Sequence, residues 1–153
     1  MSVDFYVAVP AANWPTAAAV QQCMTDGGFP VAIKRFPTLD SAGVVRDGVL
    51  VAIDGHDAYL EGELAPAMLM PEDVKILNDR LSRVSASERI DGKHAVLSIR
   101  ISMPNEMRAT AYVISALIIC FDGFGFEPQG DTYGRKDFAQ TLIRGAEALK
   151  GLL

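Results

Sequence analysis

The chain has 153 residues, half of them hydrophobic and 22% charged, and its formal net charge at pH 7 is −5. This length fits one domain with a substantial core, and the hydrophobic content excludes a disordered chain. Nucleic acid and anionic membranes attract basic surfaces, so the acidic balance disfavours both as partners. We expect a cytoplasmic protein, because the opening residues, MSVDFYVAVP, lack the basic region of a secretory signal.

The opening of the chain predicts a strand, a helix and a second strand. Residues 3–9 alternate so that one face carries Val3, Phe5, Val7 and Val9. Asn13 is the predicted cap of a helix over residues 14–26, whose buried face holds Ala17, Val20, Cys23 and Met24. Glycines 27 and 28 end this helix, and residues 29–36 form the second strand.

A hairpin follows in the middle of the chain. Residues 49–53 are all apolar, and the turn DGHD at 54–57 joins them to a partner strand at 58–64. In that partner strand Tyr59, Glu61 and Glu63 alternate with apolar or small residues, so they share a solvent-facing side. From Asp47 to Asp73 there are seven acids and no lysine or arginine. The hairpin therefore predicts a local acidic surface.

The second half predicts three helices and two strands. A helix from Pro71 carries an apolar stripe of Val74, Leu77, Leu81 and Val84, and residues 95–102 form a strand. The helix at 105–122 is apolar on all sides, which indicates deep burial, and it is too short to span a membrane. Asn105 is its predicted cap and Gly123 its stop. A strand at 124–126 precedes a last helix that opens at Asp137, with Gln140 completing a capping box.

Together these elements predict an α+β fold. We expect a single domain over residues 1–153, with a mixed sheet of about six strands and helices packed mainly on one face. The order strand, helix, glycine turn, strand occurs at 3–36 and again at 95–126. Two βαβ-like halves and a chance similarity of common units are both left open.

The residues with potential chemistry have simpler explanations. Cys23 and Cys120 lie among apolar neighbours in predicted helices, and we expect reduced, inert thiols because cytosolic proteins rarely keep disulfides. The turn residues Asp54, His56 and Asp57 could ligate a metal, yet an Asp-Gly turn needs the same residues for its backbone. His94 is a predicted surface histidine. No standard catalytic motif is present, so we predict no metal and no cofactor and favour a non-enzymatic protein over an enzyme.

Residues 105–140 resemble small bacterial α/β proteins of the immunity type. The resemblance is carried by an apolar helix, a glycine turn, a short strand and the loop EPQGDTYGRKDF. It implies a non-enzymatic protein that binds and silences a cognate toxin, and it defines no catalytic residue.

The leading hypothesis is therefore a protein-binding domain whose acidic surface meets a basic partner. The predicted contact residues belong to the hairpin: Asp54, Asp57, Tyr59, Glu61 and Glu63. The alternative is a small-molecule-binding domain or enzyme with a pocket near the 127–136 loop, formed by Asp122, Glu127, Asp131 and Tyr133. A homo-oligomeric scaffold is a third alternative.

Overall fold

The structure is a computed structural model that describes residues 2–151. Within this range the chain forms seven strands and four helices. The strands are β1 (Val3–Pro10), β2 (Val31–Arg35), β3 (Val49–Ile53), β4 (His56–Pro66), β5 (His94–Ile101), β6 (Phe124–Glu127) and β7 (Thr132–Gly134). The helices are α1 (Ala17–Asp26), α2 (Pro71–Arg83), α3 (Pro104–Phe121) and α4 (Lys136–Lys150).

All the described strands belong to one open sheet in the order β2-β3-β4-β5-β1-β6-β7, and every neighbouring pair is antiparallel. The predicted α+β fold is confirmed, with seven strands instead of about six. The predicted mixed sheet is wrong, because every described pair of neighbouring strands is antiparallel. The two strand–helix–strand units at 3–36 and 95–126 place their strands differently in the sheet. Three strands separate β1 from β2, whereas only β1 separates β5 from β6.

The main core lies on one face of the sheet, beneath α1, α3 and α4. Residues 108–118 of α3 are all buried, as the apolar sequence predicts. The sheet meets these helices with the alternate residues of its strands, including Val7, Val9, Leu97, Ile99 and Leu60. In the described part of the chain, no helix is both long and apolar enough to cross a membrane.

Helix α2 packs on the opposite face. Its residues Leu77 and Leu81 lie in a second cluster with Ala8, Val96, Phe124 and Phe126. These partners belong to β1, β5 and β6, so α2 covers only that part of the face. The side of β4 that carries Tyr59, Glu61 and Glu63 stays exposed.

The helix starts differ from the sequence predictions. Thr16, and not Asn13, caps α1, because its Oγ1 accepts from the Ala19 N–H (3.1 Å). Helix α1 therefore begins at Ala17, which is exposed. At the start of α3, Glu106 takes the capping role predicted for Asn105: its Oε1 accepts from the Ser102 N–H (3.1 Å) and the Met103 N–H (3.3 Å). The capping box predicted for α4 does not form.

The stop of α3 also differs from the prediction. Asp122 has the left-handed conformation (φ 61°) that was predicted for Gly123. Gly123 is needed for space instead, since a Cβ there would lie 2.9 Å from the carbonyl oxygen of Leu117. The same Cβ would lie 3.2 Å from side-chain methyl carbons of Val7 and Val9 in β1, so the close contact between this turn and the sheet favours glycine.

A disulfide joins Cys23 of α1 to Cys120 of α3, which are 97 residues apart in the sequence. The prediction of two reduced, buried thiols is therefore wrong. Cys120 is exposed and Cys23 is half-buried, in the last turns of their helices. Their separation along the chain concealed the pairing, because adjacent packing of the two helices is a tertiary feature.

We predict that Leu117→Ala lowers the free energy of unfolding by about 2–5 kcal/mol, because Leu117 is fully buried and the shorter side chain leaves a cavity. The measurement is urea unfolding. Ile119→Ala in the same helix is the control: Ile119 is 42% exposed, and its loss should be within about 0.5 kcal/mol. Equal losses for the two variants would contradict the burial of Leu117.

Removing the disulfide is predicted to lower stability by about 2–4 kcal/mol, because the crosslink closes a long loop and restricts the unfolded chain. Wild type and the double variant Cys23→Ser with Cys120→Ser are each unfolded with and without a reducing agent. Reducing agent should lower the unfolding midpoint of wild type and leave that of the double variant unchanged. A wild-type midpoint that ignores the reducing agent would contradict the crosslink.

Candidate functional site

On the face of the sheet opposite the main core, side chains from β4, β5 and β1 form an ordered array. Strand register aligns them in three rows across the sheet: Glu61–Arg100–Asp4, Glu63–Ser98–Tyr6 and Ala65–Val96–Ala8. The third row is apolar and buried. The first two rows are polar, so this face changes from covered and apolar to open and charged within a few residues.

A groove of about 980 Å³ lies over the two polar rows. One wall comes from the segment before β3, with Val44 and Arg46, and the other from the start of α2 and the turn before it, with Leu69, Glu72 and Asp73. We call this region the outer-face groove. It is formed by the sheet and by two segments that are distant from each other in the sequence.

The outer-face groove carries an excess of negative charge. Five carboxylates line it, against the guanidinium groups of Arg46 and Arg100, which leaves three uncompensated negative charges. The carboxylates are those of Asp4, Glu61, Glu63, Glu72 and Asp73. The charge is mixed, and not wholly acidic as the uninterrupted acids between Asp47 and Asp73 suggested, because cations arrive from neighbouring segments.

Both of these arginines form ion pairs within the groove. Arg46 Nε donates to Glu63 Oε1 (3.2 Å), and Arg100 Nε donates to Asp4 Oδ1 (2.9 Å). The hydrogen bond that Arg100 donates to Asp4 is the main cause that raises the pKa of Arg100. Burial, followed by the charges of Asp4 and Asp73, raises the pKa of Tyr6. Tyr6 therefore keeps its hydroxyl proton and remains a hydrogen-bond donor at neutral pH.

The structure brings three of the five predicted contact residues together. Tyr59, Glu61 and Glu63 line the outer-face groove, as their alternation along β4 predicts. Asp57 lies outside it and pairs with Lys34 (2.6 Å). Asp54 also lies outside, because its carboxylate accepts from Arg108 of α3 (2.6 Å).

Tyr59 has its own cationic neighbour. Its side chain is 45% exposed, and the guanidinium carbon of Arg35 lies 5.8 Å from the centre of its ring. At that distance the cation is attracted to the aromatic face. Arg35 also donates to the carbonyl oxygen of Asp47 (2.9 Å), which holds it beside the ring.

Polar side chains of the 127–136 loop, and of Asp122 before it, are bonded to other residues of the protein. Asp122 accepts from Arg135 (3.0 Å), and Asp131 pairs with Arg80 (3.3 Å). Glu127 accepts from the Gly130 N–H (2.5 Å), and the Tyr133 hydroxyl donates to the carbonyl oxygen of Val84 (3.4 Å). An open cavity of about 780 Å³ adjoins β7 and the start of α4. All four residues of the alternative site hold this loop in place.

Arg135 is the central residue of that network, and no local sequence pattern indicates its role. Its guanidinium also bonds both carboxylate oxygens of Glu88 (2.8 and 3.1 Å) and lies 5.8 Å from the ring centre of Phe124. The hydrogen bond to Glu88 is the main cause that raises its pKa. A partner 47 residues away gives no local sequence signal.

The metal alternative lacks a ligand set. Asp54 and Gly55 both have positive φ (52° and 80°), as a two-residue hairpin turn requires. Among residues 2–151, no group of three or more His, Cys, Asp or Glu side chains could hold a metal ion. His94, predicted at the surface, has a side chain only 15% exposed; its Nδ1 accepts from the Asp91 N–H (2.9 Å).

A second residue that no local sequence pattern indicates is Arg108, whose side chain is 99% buried in α3. Besides bonding Asp54, its Nε donates to the carbonyl oxygen of Ala146 in α4 (3.2 Å). Its Nη2 has no hydrogen-bond partner within residues 2–151. This guanidinium ties the β3–β4 turn to two helices. The hydrogen bond from Arg108 is the main cause that lowers the pKa of Asp54.

Comparisons with family models, curated proteins and solved structures gave no match to this chain. The outer-face groove is thus the candidate site on its own geometry and charge.

We predict that Asp54→Asn destabilises the protein at neutral pH, since it leaves the buried Arg108 without its counterion. The folded-state pKa of Asp54 is lowered, so its stabilising effect is present above the unfolded value of about 3.9 and is lost as pH falls through the folded value. Thermal unfolding of the variant and wild type should therefore converge in acid. Asp57→Asn is the matched control, because its exposed pair with Lys34 contributes little. Equal effects of the two substitutions at pH 7 would contradict this role of Asp54.

Proposed function

We propose that this protein is a non-enzymatic binding protein that holds a basic segment of a protein partner in the outer-face groove. The observation that carries the proposal is the combination of an uncovered sheet face with three uncompensated negative charges. A groove lined by one sign of charge attracts ligands of the opposite sign and speeds their association.

Three carboxylates are available for such a ligand. Glu61, Glu72 and Asp73 form no ion pair with any residue between 2 and 151, although Arg100 lies opposite Glu61 in the sheet. Lysine or arginine side chains that reach these groups would gain charge-assisted hydrogen bonds. The carboxylates stand on both the floor and one wall, which suits an extended segment with several cations.

The groove also offers apolar contact. Tyr59 and Leu69 line it and are 45% and 43% exposed. Partly exposed aromatic side chains are common anchors at protein interfaces, because they bury a large area at a small entropic cost. The partner that fits is therefore a basic segment with aliphatic stems or apolar residues between its charges.

The resemblance of residues 105–140 to immunity-type proteins extends this proposal to a toxin as the partner. A cytoplasmic location is part of the same proposal, and the Cys23–Cys120 disulfide is the observation against it, because the cytosol keeps most thiols reduced. The charge of the outer-face groove attracts a basic partner in either compartment.

The test measures the binding of a fluorescent, capped octapeptide of alternating arginine and glycine. We expect wild type to bind it, with an affinity that falls as salt rises from 50 to 500 mM. Glu61→Lys with Glu63→Lys should weaken binding roughly tenfold or more, chiefly by slowing association. An aspartate-glycine octapeptide should not bind.

The matched control reverses two exposed carboxylates on the helix-covered side, Asp26→Lys with Glu147→Lys, and gives the same net charge. This control should retain wild-type affinity within about a factor of two. Equal weakening in both double variants would mean that net charge alone attracts the peptide, and the proposed groove function would fail. Thermal melts of both variants check that the fold is intact.

A further inference from the structure

We infer that Arg100 is a built-in competitor for the cation of the partner, occupying the place between Glu61 and Asp4 that a partner arginine takes on binding. This inference rests on the proposed function and deepens it. It names the chemistry of the central contact, a guanidinium group, and the residue that limits the affinity of the groove.

The position of Arg100 follows from strand register. Its neighbours across the sheet are Glu61 on β4 and Asp4 on β1, so one guanidinium stands between two carboxylates. It bonds Asp4 through Nε (2.9 Å) and Nη2 (3.5 Å), and the charge of Glu61 acts on it as well. The floor of the outer-face groove thus already binds a guanidinium, and that guanidinium belongs to the protein itself.

The contact is weak enough to be exchanged. The Arg100 side chain is 62% exposed, and a solvent-exposed ion pair contributes little to stability because water competes for both groups. Asp4 is more enclosed, at 28% exposed, and its backbone N–H is fixed by a bond to Gln129. The Asp4 carboxylate therefore has less room to move, whereas the guanidinium can turn outward along its flexible stem.

Displacement makes a specific prediction about the sign of a substitution. Removal of Arg100 frees Asp4 and removes a like charge from the path of the partner, so affinity for the arginine-glycine octapeptide should rise. We expect Arg100→Gln to bind roughly two- to fivefold more tightly than wild type, the range set by an exposed ion pair. Arg100→Lys keeps the charge and should stay close to wild type.

Arg144→Gln is the matched control, because Arg144 lies on α4 at the helix-covered side and its loss changes the net charge equally. This variant should show wild-type affinity. A second measurement follows the Arg100 Nε–H signal by NMR in wild type during peptide titration. Its chemical shift should change at saturation, because the hydrogen bond to Asp4 is broken, whereas the Arg135 signal should not change.

The outcomes separate the two ideas. If wild type binds the peptide with the groove dependence described above, but Arg100→Gln binds equally or less well, the competitor role is wrong and the binding function stands. An Arg100 signal unchanged at saturation would overturn the role in the same way. If neither wild type nor Arg100→Gln binds the peptide saturably, the proposed function fails and the inference fails with it.

Discussion

Burial of helix α3 is the constraint on which the rest of the structure depends. A helix that is apolar on every side must be covered on every side, and the sheet, α1 and α4 together provide that cover. Three of the four described helices are thus committed to one face. Helix α2 alone packs on the other face, against β1, β5 and β6, so the outward side chains Tyr59, Glu61 and Glu63 of β4 stay uncovered. The outer-face groove lies over the part of that face that α2 leaves uncovered.

Much of this arrangement could be predicted from local patterns. The period of two in β4 predicted its buried and exposed sides correctly, and the unbroken apolar run of α3 indicated its burial. Local competition limited the rest: Asn13 and Thr16 are both good caps three residues apart, and Asp122 and Gly123 both tolerate the turn after α3. Sequence alone gives no reason to choose between such neighbours.

Only part of the candidate site could be predicted, because its residues come together from distant parts of the chain. Tyr59, Glu61 and Glu63 share a strand face, which is a local property. Their neighbours are not local, since Arg100 reaches Glu61 only through the pairing of β4 with β5. Arg108 was hidden in the same way, because nothing around it in the sequence announces Asp54 as its partner. Residues whose charge is neutralised by distant segments cannot be recognised until strand order is known.

The strand order has a consequence for how the protein is made. Strand β1 is synthesised before the other described strands, yet its two neighbours in the sheet, β5 and β6, begin at His94 and Phe124. Its apolar residues therefore stay without their native partners until most of the chain has been synthesised. Distant pairings slow folding and keep hydrophobic segments open to aggregation meanwhile. The nascent chain accordingly carries an unpaired apolar strand through much of its synthesis, and the centre of the sheet can close only after translation has passed the end of β6.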